Sequence, residues 1–179
     1  MPAWFVLIWM TREHSRGGAA ERHKVQEVES DAINPAACNC LALRQATRHV
    51  TQFYDRFIAP AGLRATQYSI LARLDRRGAM TINALAAALV MDRTTLGRNI
   101  RPLQRDGLVA IGPGRTDRRS KELRLTAAGA ARFRAARKGW REAQERFEEA
   151  FGSAQARQLR ALLAAVASEA RIGAPSALE

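Results

Sequence analysis

Residues 81–103 read TINALAAALVMDRTTLGRNIRPL and combine two helical patterns with a tight turn between them. Thr81 and Asp92 are each suited to cap the first turn of the helix that follows. Apolar residues recur at helical spacing in both segments: Ile82, Leu85 and Leu89 in the first, and Leu96, Ile100 and Leu103 in the second. This pattern predicts a helix-turn-helix, whose second helix enters the major groove of DNA.

The polar residues on the outer face of the second helix are suited to read bases. Arginine bonds guanine through two hydrogen bonds, asparagine does the same with adenine, and threonine offers a methyl group to thymine. We therefore predict DNA contacts from Arg93, Thr94, Thr95, Arg98, Asn99 and Arg101. A solvated helix face is the plainer interpretation, but it does not explain why the next segment is also basic.

That next segment predicts a β-hairpin, which would act as the wing of a winged helix-turn-helix. Residues 108–111 are β-prone, and residues 121–125 alternate between polar and apolar side chains. The tip between them is basic, and arginine side chains are attracted into narrow minor grooves. We predict that Arg115, Arg118 and Arg119 contact DNA there. Residues 92–121 together hold 8 basic and 3 acidic residues.

Helices are predicted on both sides of this unit. One runs from Pro35 to Pro60 and one opens at Thr66, while Thr126 and Ser153 cap two more after the wing. The first helix has an apolar stripe that predicts a buried face: Cys40, Leu43, Ala46, Val50, Phe53 and Phe57. The last helix adds Leu159, Leu162, Leu163 and Val166. Since one slim domain cannot cover so much apolar surface, we expect a homodimer, with a larger monomeric core as the alternative.

Length and charge agree with a globular chain that binds a polyanion. The 179 residues include 29 Lys and Arg against 17 Asp and Glu, a net charge of +12. A chain of this composition is neither disordered nor embedded in a membrane. We divide it as follows: a poorly ordered N-terminal extension at 1–34, a domain at 35–171 and a tail at 172–179, with DNA binding at about 64–125 and dimerisation at about 35–59 and 126–171.

Other classes of protein fit the sequence less well. The apolar run at 3–10 has about half the ~18 residues that a membrane span needs, so we expect no membrane partner. Two cysteines, Cys38 and Cys40, are too few and too close for the disulfide framework of a secreted protein, so we expect a cytoplasmic protein. The histidines His14, His23 and His49 are scattered, and neither a catalytic triad nor a phosphate loop is present. We expect no enzyme activity, no metal and no cofactor.

The chain resembles the multiple-antibiotic-resistance regulator (MarR) family over about residues 35–171. The resemblance lies in the element order and in five motifs: DRTTL at 92–96, PL at 102–103, GLV at 107–109, DRR at 117–119 and LTAAG at 125–129. It implies a homodimeric transcriptional regulator, usually a repressor, that binds a pseudo-palindromic operator. It also implies release by a small molecule or an oxidant, the former often bound between the dimer core and the winged domain.

A small-molecule site would need a cation for a carboxylate and aromatic walls for a ring. The candidates are Arg44, Arg48, His49, Tyr68, Trp140 and Gln144. A plain core role is the alternative for Trp140 and Gln144, because they share one helix face with Phe147.

A thiol-based sensor is a second hypothesis, carried by Cys38 and Cys40. Placed two residues apart on one helix, the thiols point to nearly opposite sides, so that a bridge to a partner chain requires less distortion than an internal one. The alternative is that Cys40 is simply a small buried side chain. A third hypothesis is an architectural protein that binds DNA without sequence preference. Such a protein has little use for Thr94, Thr95 and Asn99 on the second helix.

Overall fold

The computed structural model describes residues 35–114 and 119–168. The chain divides into two units, residues 1–38 and residues 39–179. Within the first unit the structure describes only the 3-10 turn Pro35–Ala37 and Cys38. Every element below belongs to the second unit. The predictions for residues 1–34, for Arg115 and Arg118 and for the tail at 172–179 lie outside the described residues.

Six α-helices and three short strands make up the described part of the second unit, so the predicted class, mainly α with a β-hairpin wing, is confirmed. In chain order they are α1 (Asn39–Ile58), α2 (Ala65–Arg77), β1 (Met80–Thr81), α3 (Ile82–Ala88), α4 (Arg93–Arg105), β2 (Val109–Pro113), β3 (Lys121–Leu125), α5 (Ala127–Phe151) and α6 (Ser153–Ala167). A 3-10 turn, Ala59–Ala61, follows α1.

The wing is the antiparallel pair β2–β3, with Val109 opposite Leu125 and Pro113 opposite Lys121. A third strand, β1, pairs with the other edge of β3, so the sheet order is β1-β3-β2. The sequence did not predict β1, because two residues are too few to show an alternating pattern. β1 runs directly into α3, and it therefore ties the base of the wing to the helix-turn-helix.

The core lies where α2, α3, α4 and the sheet meet. The inward residues predicted for α4 are confirmed: Leu96, Ile100 and Leu103 are all buried. Leu71, Leu85 and Leu123 complete the centre of this cluster from α2, α3 and β3. The Arg73 guanidinium donates to the Ala88 carbonyl oxygen at 2.9 Å, which fixes the end of α3 against α2.

Of the four predicted N-caps, three are confirmed and the fourth is wrong. Thr81 Oγ1 accepts from the Ala84 N–H, Asp92 Oδ1 from the Thr95 N–H and Thr126 Oγ1 from the Gly129 N–H, at 2.8–3.1 Å. Ser153 is instead the first helical residue of α6, and Gly152, whose φ is +91°, takes the cap position.

The starts of two other helices also differ from the prediction. α2 begins at Ala65 rather than Thr66, since Asp55 Oδ1 accepts from the Ala65 N–H at 2.6 Å and satisfies this first turn from outside the helix. α1 begins at Asn39, because the 3-10 turn Pro35–Ala37 precedes it.

The apolar stripe of α1 is buried only in part. Val50, Phe53 and Phe57 are half-buried, whereas Cys40, Leu43 and Ala46 are exposed. The reason is that the aromatic contact with α5 lies near the C-terminal end of α1, where the Phe53 and Phe147 rings are 6.4 Å apart. The N-terminal half of α1 has no such cover within the described chain. One chain by itself therefore buries only the C-terminal half of the stripe.

Candidate nucleic-acid interface

The inward anchors of α4 leave its opposite face open to solvent. Five of the six predicted reading residues are exposed: Arg93, Thr94, Thr95, Arg98 and Arg101. Asn99 is half-buried, and its Nδ2 donates to the Thr95 carbonyl oxygen at 2.9 Å. The structure therefore places all six on one short helix, with Asn99 engaged by its own backbone.

A sharp turn sets the direction in which α4 leaves α3. Val90 adopts a left-handed conformation with φ +51°, and the residue is 77% exposed. A β-branched residue rarely adopts this conformation, so the turn is a strained point of the backbone. The Met91 N–H bonds the Ala86 carbonyl oxygen at 2.9 Å and closes the turn.

At its N-terminal end α4 meets the wing across a cleft of about 380 Å³. Three cationic side chains gather there from α4 and the wing: Arg93, Arg119 and Lys121. Asn83, Thr81, Ile82 and Ser120 complete the lining. Lys121 and Asn83 are not among the predicted DNA contacts, because the sequence patterns place Lys121 in a strand and Asn83 in a short helix. The charge pattern at 92–121 was the signal that pointed to Lys121.

The cap of α4 is itself ionic. Hydrogen bonds from Thr95, through its side chain and its backbone N–H, hold the pKa of Asp92 below the ordinary value of 3.8. Asp92 is therefore a carboxylate at neutral pH, placed at the positive end of the helix dipole.

A second cleft, of about 240 Å³, lies among α1, α2 and α5, and we call it the helical cleft. Its lining carries no charged side chain among the described residues: Val50, Thr51, Tyr54, Ile58, Ala65, Tyr68, Ser69 and Trp140. Of the predicted effector residues, Tyr68 and Trp140 line it, with ring centroids 6.1 Å apart and planes 11° from parallel. Burial raises the pKa of Tyr68 above its usual range.

The other predicted effector residues do not line the helical cleft. Arg44, Arg48 and His49 are exposed on the open half of α1. Gln144 does not line the cleft either, but its Oε1 accepts from the Tyr54 hydroxyl at 2.7 Å. The described lining of the cleft therefore lacks the anticipated cation for a carboxylate.

Tyr54 was not among the predicted residues. It lies on a second stripe of α1, with Thr51 and Ile58 at helical spacing, next to the apolar stripe that the prediction followed. Burial is the main cause that raises its pKa. Beyond Gln144 the hydrogen bonds continue: Gln144 Nε2 donates to Glu148 Oε1 at 2.7 Å, and the Arg160 guanidinium donates to the same oxygen at 3.0 Å.

The two cysteines do not share a helix. Cys38 precedes the first residue of α1 and is half-buried, whereas Cys40 is exposed in the first turn of α1. The prediction that an internal disulfide is disfavoured assumed that both residues were helical, and that assumption is wrong.

The described residues offer neither a metal site nor a membrane span. They contain no group of three or more His, Cys, Asp or Glu side chains that could hold a metal ion. None of the described helices is long and apolar enough to cross a membrane.

A helix-turn-helix with an exposed polar second helix, followed by a hairpin that shares a cationic cleft with it, defines a winged helix-turn-helix DNA-binding protein. Residues 61–120 match the MarR family. The structure of the Mycobacterium tuberculosis transcriptional regulator MosR is similar, at 35% sequence identity and a TM-score of 0.64, over 75% of this chain and 98% of that one. The chain therefore belongs to the MarR family of transcriptional regulators.

Two other solved structures are also similar. The transcriptional repressor CouR, bound to a 23-mer DNA duplex, is 27% identical with a TM-score of 0.67, over 74% of this chain and 94% of that one. BpsR of Bordetella bronchiseptica, whose DNA binding is regulated by 6-hydroxynicotinic acid, shares the fold at 22% identity and a TM-score of 0.65, over 74% and 95% of the two chains. A search of curated protein sequences gave no match.

Proposed function

We propose that this chain is a homodimeric transcriptional repressor that binds a pseudo-palindromic operator and leaves it when a small aromatic or phenolic effector binds. The observation that carries the proposal is the cationic cleft between α4 and the wing. It joins Arg93 at the start of α4 to Arg119 and Lys121 on the wing, so that one surface can meet a major groove and the adjoining phosphates together. CouR, a repressor bound to DNA, has the same fold.

In this proposal the residues of α4 have two roles. Arg98 and Asn99 contact base edges, since both side chains can form two hydrogen bonds to a single base. Arg93 and Arg101 bind phosphates, and Thr94 and Thr95 contact either phosphate oxygens or thymine methyl groups. The predicted wing residues Arg115, Arg118 and Arg119 enter or border the minor groove.

The homodimer is supported by apolar side chains that one chain leaves exposed. They lie on α1, α5 and α6: Leu41, Leu43, Phe151, Leu162, Leu163 and Val166. A second copy that covers them produces two-fold symmetry, and the two α4 helices then meet successive major grooves roughly 34–36 Å apart.

The effector is assigned to the helical cleft, because this cleft contacts α1 and α5 on one side and α2 of the winged unit on the other. A ligand there releases DNA when it favours a spacing of the two α4 helices that does not fit successive grooves. A hundredfold preference for that conformation is worth about 2.7 kcal/mol for each effector bound. BpsR shows that a protein of this fold can respond to a small aromatic acid.

A competition titration tests the DNA-binding part of the proposal. The genomic fragment that the protein retains most strongly is challenged with unrelated DNA at fixed salt. A regulator prefers its site by a factor on the order of 10³ or more, whereas an architectural protein shows almost no preference.

Thiol oxidation is the second candidate for the release signal, favoured by the exposure of Cys40 at the start of α1. The double variant Cys38→Ser, Cys40→Ser separates the two signals. If the effector proposal is right, this variant still leaves the operator when an aromatic ligand binds. If peroxide releases wild type but not the variant, and no aromatic acid or phenol releases wild type, the thiols are the sensor.

A further inference from the structure

The helical cleft contains a tyrosine whose hydroxyl hydrogen is already committed. A series of hydrogen bonds that begins on α6, outside the cleft, determines that this hydrogen points to Gln144. It links Arg160, Glu148, Gln144 and Tyr54. Because each partner limits what its neighbour can do, the series fixes the direction of every hydrogen bond within it.

Glu148 determines which partner donates in the hydrogen bonds of the series. Hydrogen bonds from Gln144 and then from Arg160 lower its pKa, so it is a carboxylate at neutral pH and can only accept. The Gln144 amide must therefore turn its NH2 group towards Glu148 Oε1, which is 2.7 Å from Nε2. This orientation leaves Gln144 Oε1 facing Tyr54.

The direction at Tyr54 follows. Gln144 Oε1 can only accept, so the Tyr54 hydroxyl must donate across the 2.7 Å between them. A phenol has a single hydrogen to donate, and only its lone pairs then remain. Ser69 is in the same state, because its Oγ donates to the Ala65 carbonyl oxygen at 2.9 Å.

We infer that the helical cleft selects aromatic ligands that carry a hydrogen-bond donor, such as a phenolic hydroxyl or a ring N–H, and that Tyr54 is the residue that reads this donor. An ether or ketone oxygen placed against the Tyr54 hydroxyl meets only the lone pairs of its oxygen. The inference rests on the proposed role of the helical cleft as the effector site, and it specifies the class of effector.

The remaining polar groups of the cleft do not impose the same choice. Thr51 and Tyr68 form no side-chain hydrogen bond within the described part of the chain, so each can donate or accept. Arg137 and Arg141 act electrostatically on Tyr68 and would attract an anion. Neutral probes are therefore needed to isolate the effect of Tyr54.

The experiment compares 2-naphthol with 2-methoxynaphthalene, which share an aromatic body and differ in the donor. Binding to the full chain is measured by calorimetry or fluorescence without DNA, and release from DNA is measured separately. We expect naphthol to bind roughly three- to tenfold more tightly, the range for one neutral hydrogen bond. Tyr54→Phe should lower this ratio to the part that Ser69 contributes, whereas Tyr68→Phe, which removes a hydroxyl that can also donate to an ether oxygen, should not lower it.

Gln144→Met adds a test in the opposite direction. It frees the Tyr54 hydrogen, so 2-methoxynaphthalene should bind more tightly than it does to wild type. Melting curves confirm that each variant is folded. If both probes bind wild type equally, or if Tyr54→Phe keeps the ratio, the inference about Tyr54 is overturned while the effector site stands. If neither probe binds and neither releases DNA, the effector proposal fails and the inference fails with it.

Discussion

At the scale of single residues, Asn99 combines a polar reading group with a hydrogen bond to its own helix. Its amide is bonded to the Thr95 carbonyl oxygen at 2.9 Å, so it must rotate to reach a base edge. Both partners of that hydrogen bond are predicted reading residues. In the proposed complex DNA replaces this internal hydrogen bond with a base contact.

We expect Asn99→Ala and Arg98→Ala to relax sequence preference at particular base pairs by about 1–3 kcal/mol. A binding profile over single-base variants of the site measures this. Gln104→Ala is the control, since Gln104 is exposed near the C-terminal end of the same helix and is not predicted to read bases. An unchanged profile for Asn99→Ala would show that the reading face has been misplaced.

The wing is expected to behave differently from α4. Arg119 lines the cationic cleft, and a phosphate contact carries no base information. Arg119→Ala should weaken binding about equally for all DNA sequences and reduce the slope of log K against log salt by roughly 1. Titrations at several salt concentrations measure the slope. A selective loss at one base pair would contradict this role.

At the scale of elements, two glycines within helices show how closely the helices pack. A Cβ on Gly139 of α5 would collide with the Phe57 carbonyl oxygen of α1, whereas a Cβ on Gly97 of α4 would meet no atom within 4 Å. Gly139 is therefore required by the approach of α1 to α5. Gly97 only weakens its own helix, because it increases the conformational freedom lost on folding.

Alanine at these two positions should consequently have opposite effects. Gly139→Ala should destabilise the fold by about 1–3 kcal/mol through overpacking. Gly97→Ala should stabilise it by about 0.5–1 kcal/mol. Thermal unfolding at one fixed protein concentration compares them, and a shift in the same direction for both would contradict the packing described for α1 and α5.

The elements differ in how well the sequence predicted them. The caps Thr81, Asp92 and Thr126 act locally, and each helix begins where they predicted. β1 depends on its pairing with β3, and the Ala65 N–H of α2 depends on Asp55 in the preceding helix, and local patterns cannot show these partners. The helical cleft was predicted in part. Tyr68 and Trp140 were expected to form its aromatic walls, but Tyr54 becomes recognisable only once α5 is placed beside α1.

At the scale of the whole molecule, α6 exposes apolar side chains that one chain does not cover. Leu162 is 58% exposed and Val166 is 46% exposed, on the same helix one turn apart. In the proposed homodimer a second copy covers them, and this pairing sets the distance between the two α4 helices. In the proposed mechanism the effector changes that distance.

The double variant Leu162→Glu, Val166→Glu is therefore expected to be monomeric at micromolar concentration and to lose operator binding, because burying the introduced carboxylates is strongly unfavourable. Analytical ultracentrifugation measures the first effect and a DNA titration the second. Gln158→Glu is the control, as it adds a charge at an exposed polar position of the same helix. A double variant that still sediments as a dimer would place the interface elsewhere.

In the proposed function this chain recognises a specific DNA sequence as a symmetric dimer, through α4 and the wing. The most direct test is to bind the protein to fragmented DNA of its source genome and to sequence the fragments that it retains. We predict strong enrichment of a few fragments that share an inverted repeat, with half-sites about one helical turn, roughly 34–36 Å, apart. Retention that follows fragment length or base composition, with no shared repeat, would contradict the claim.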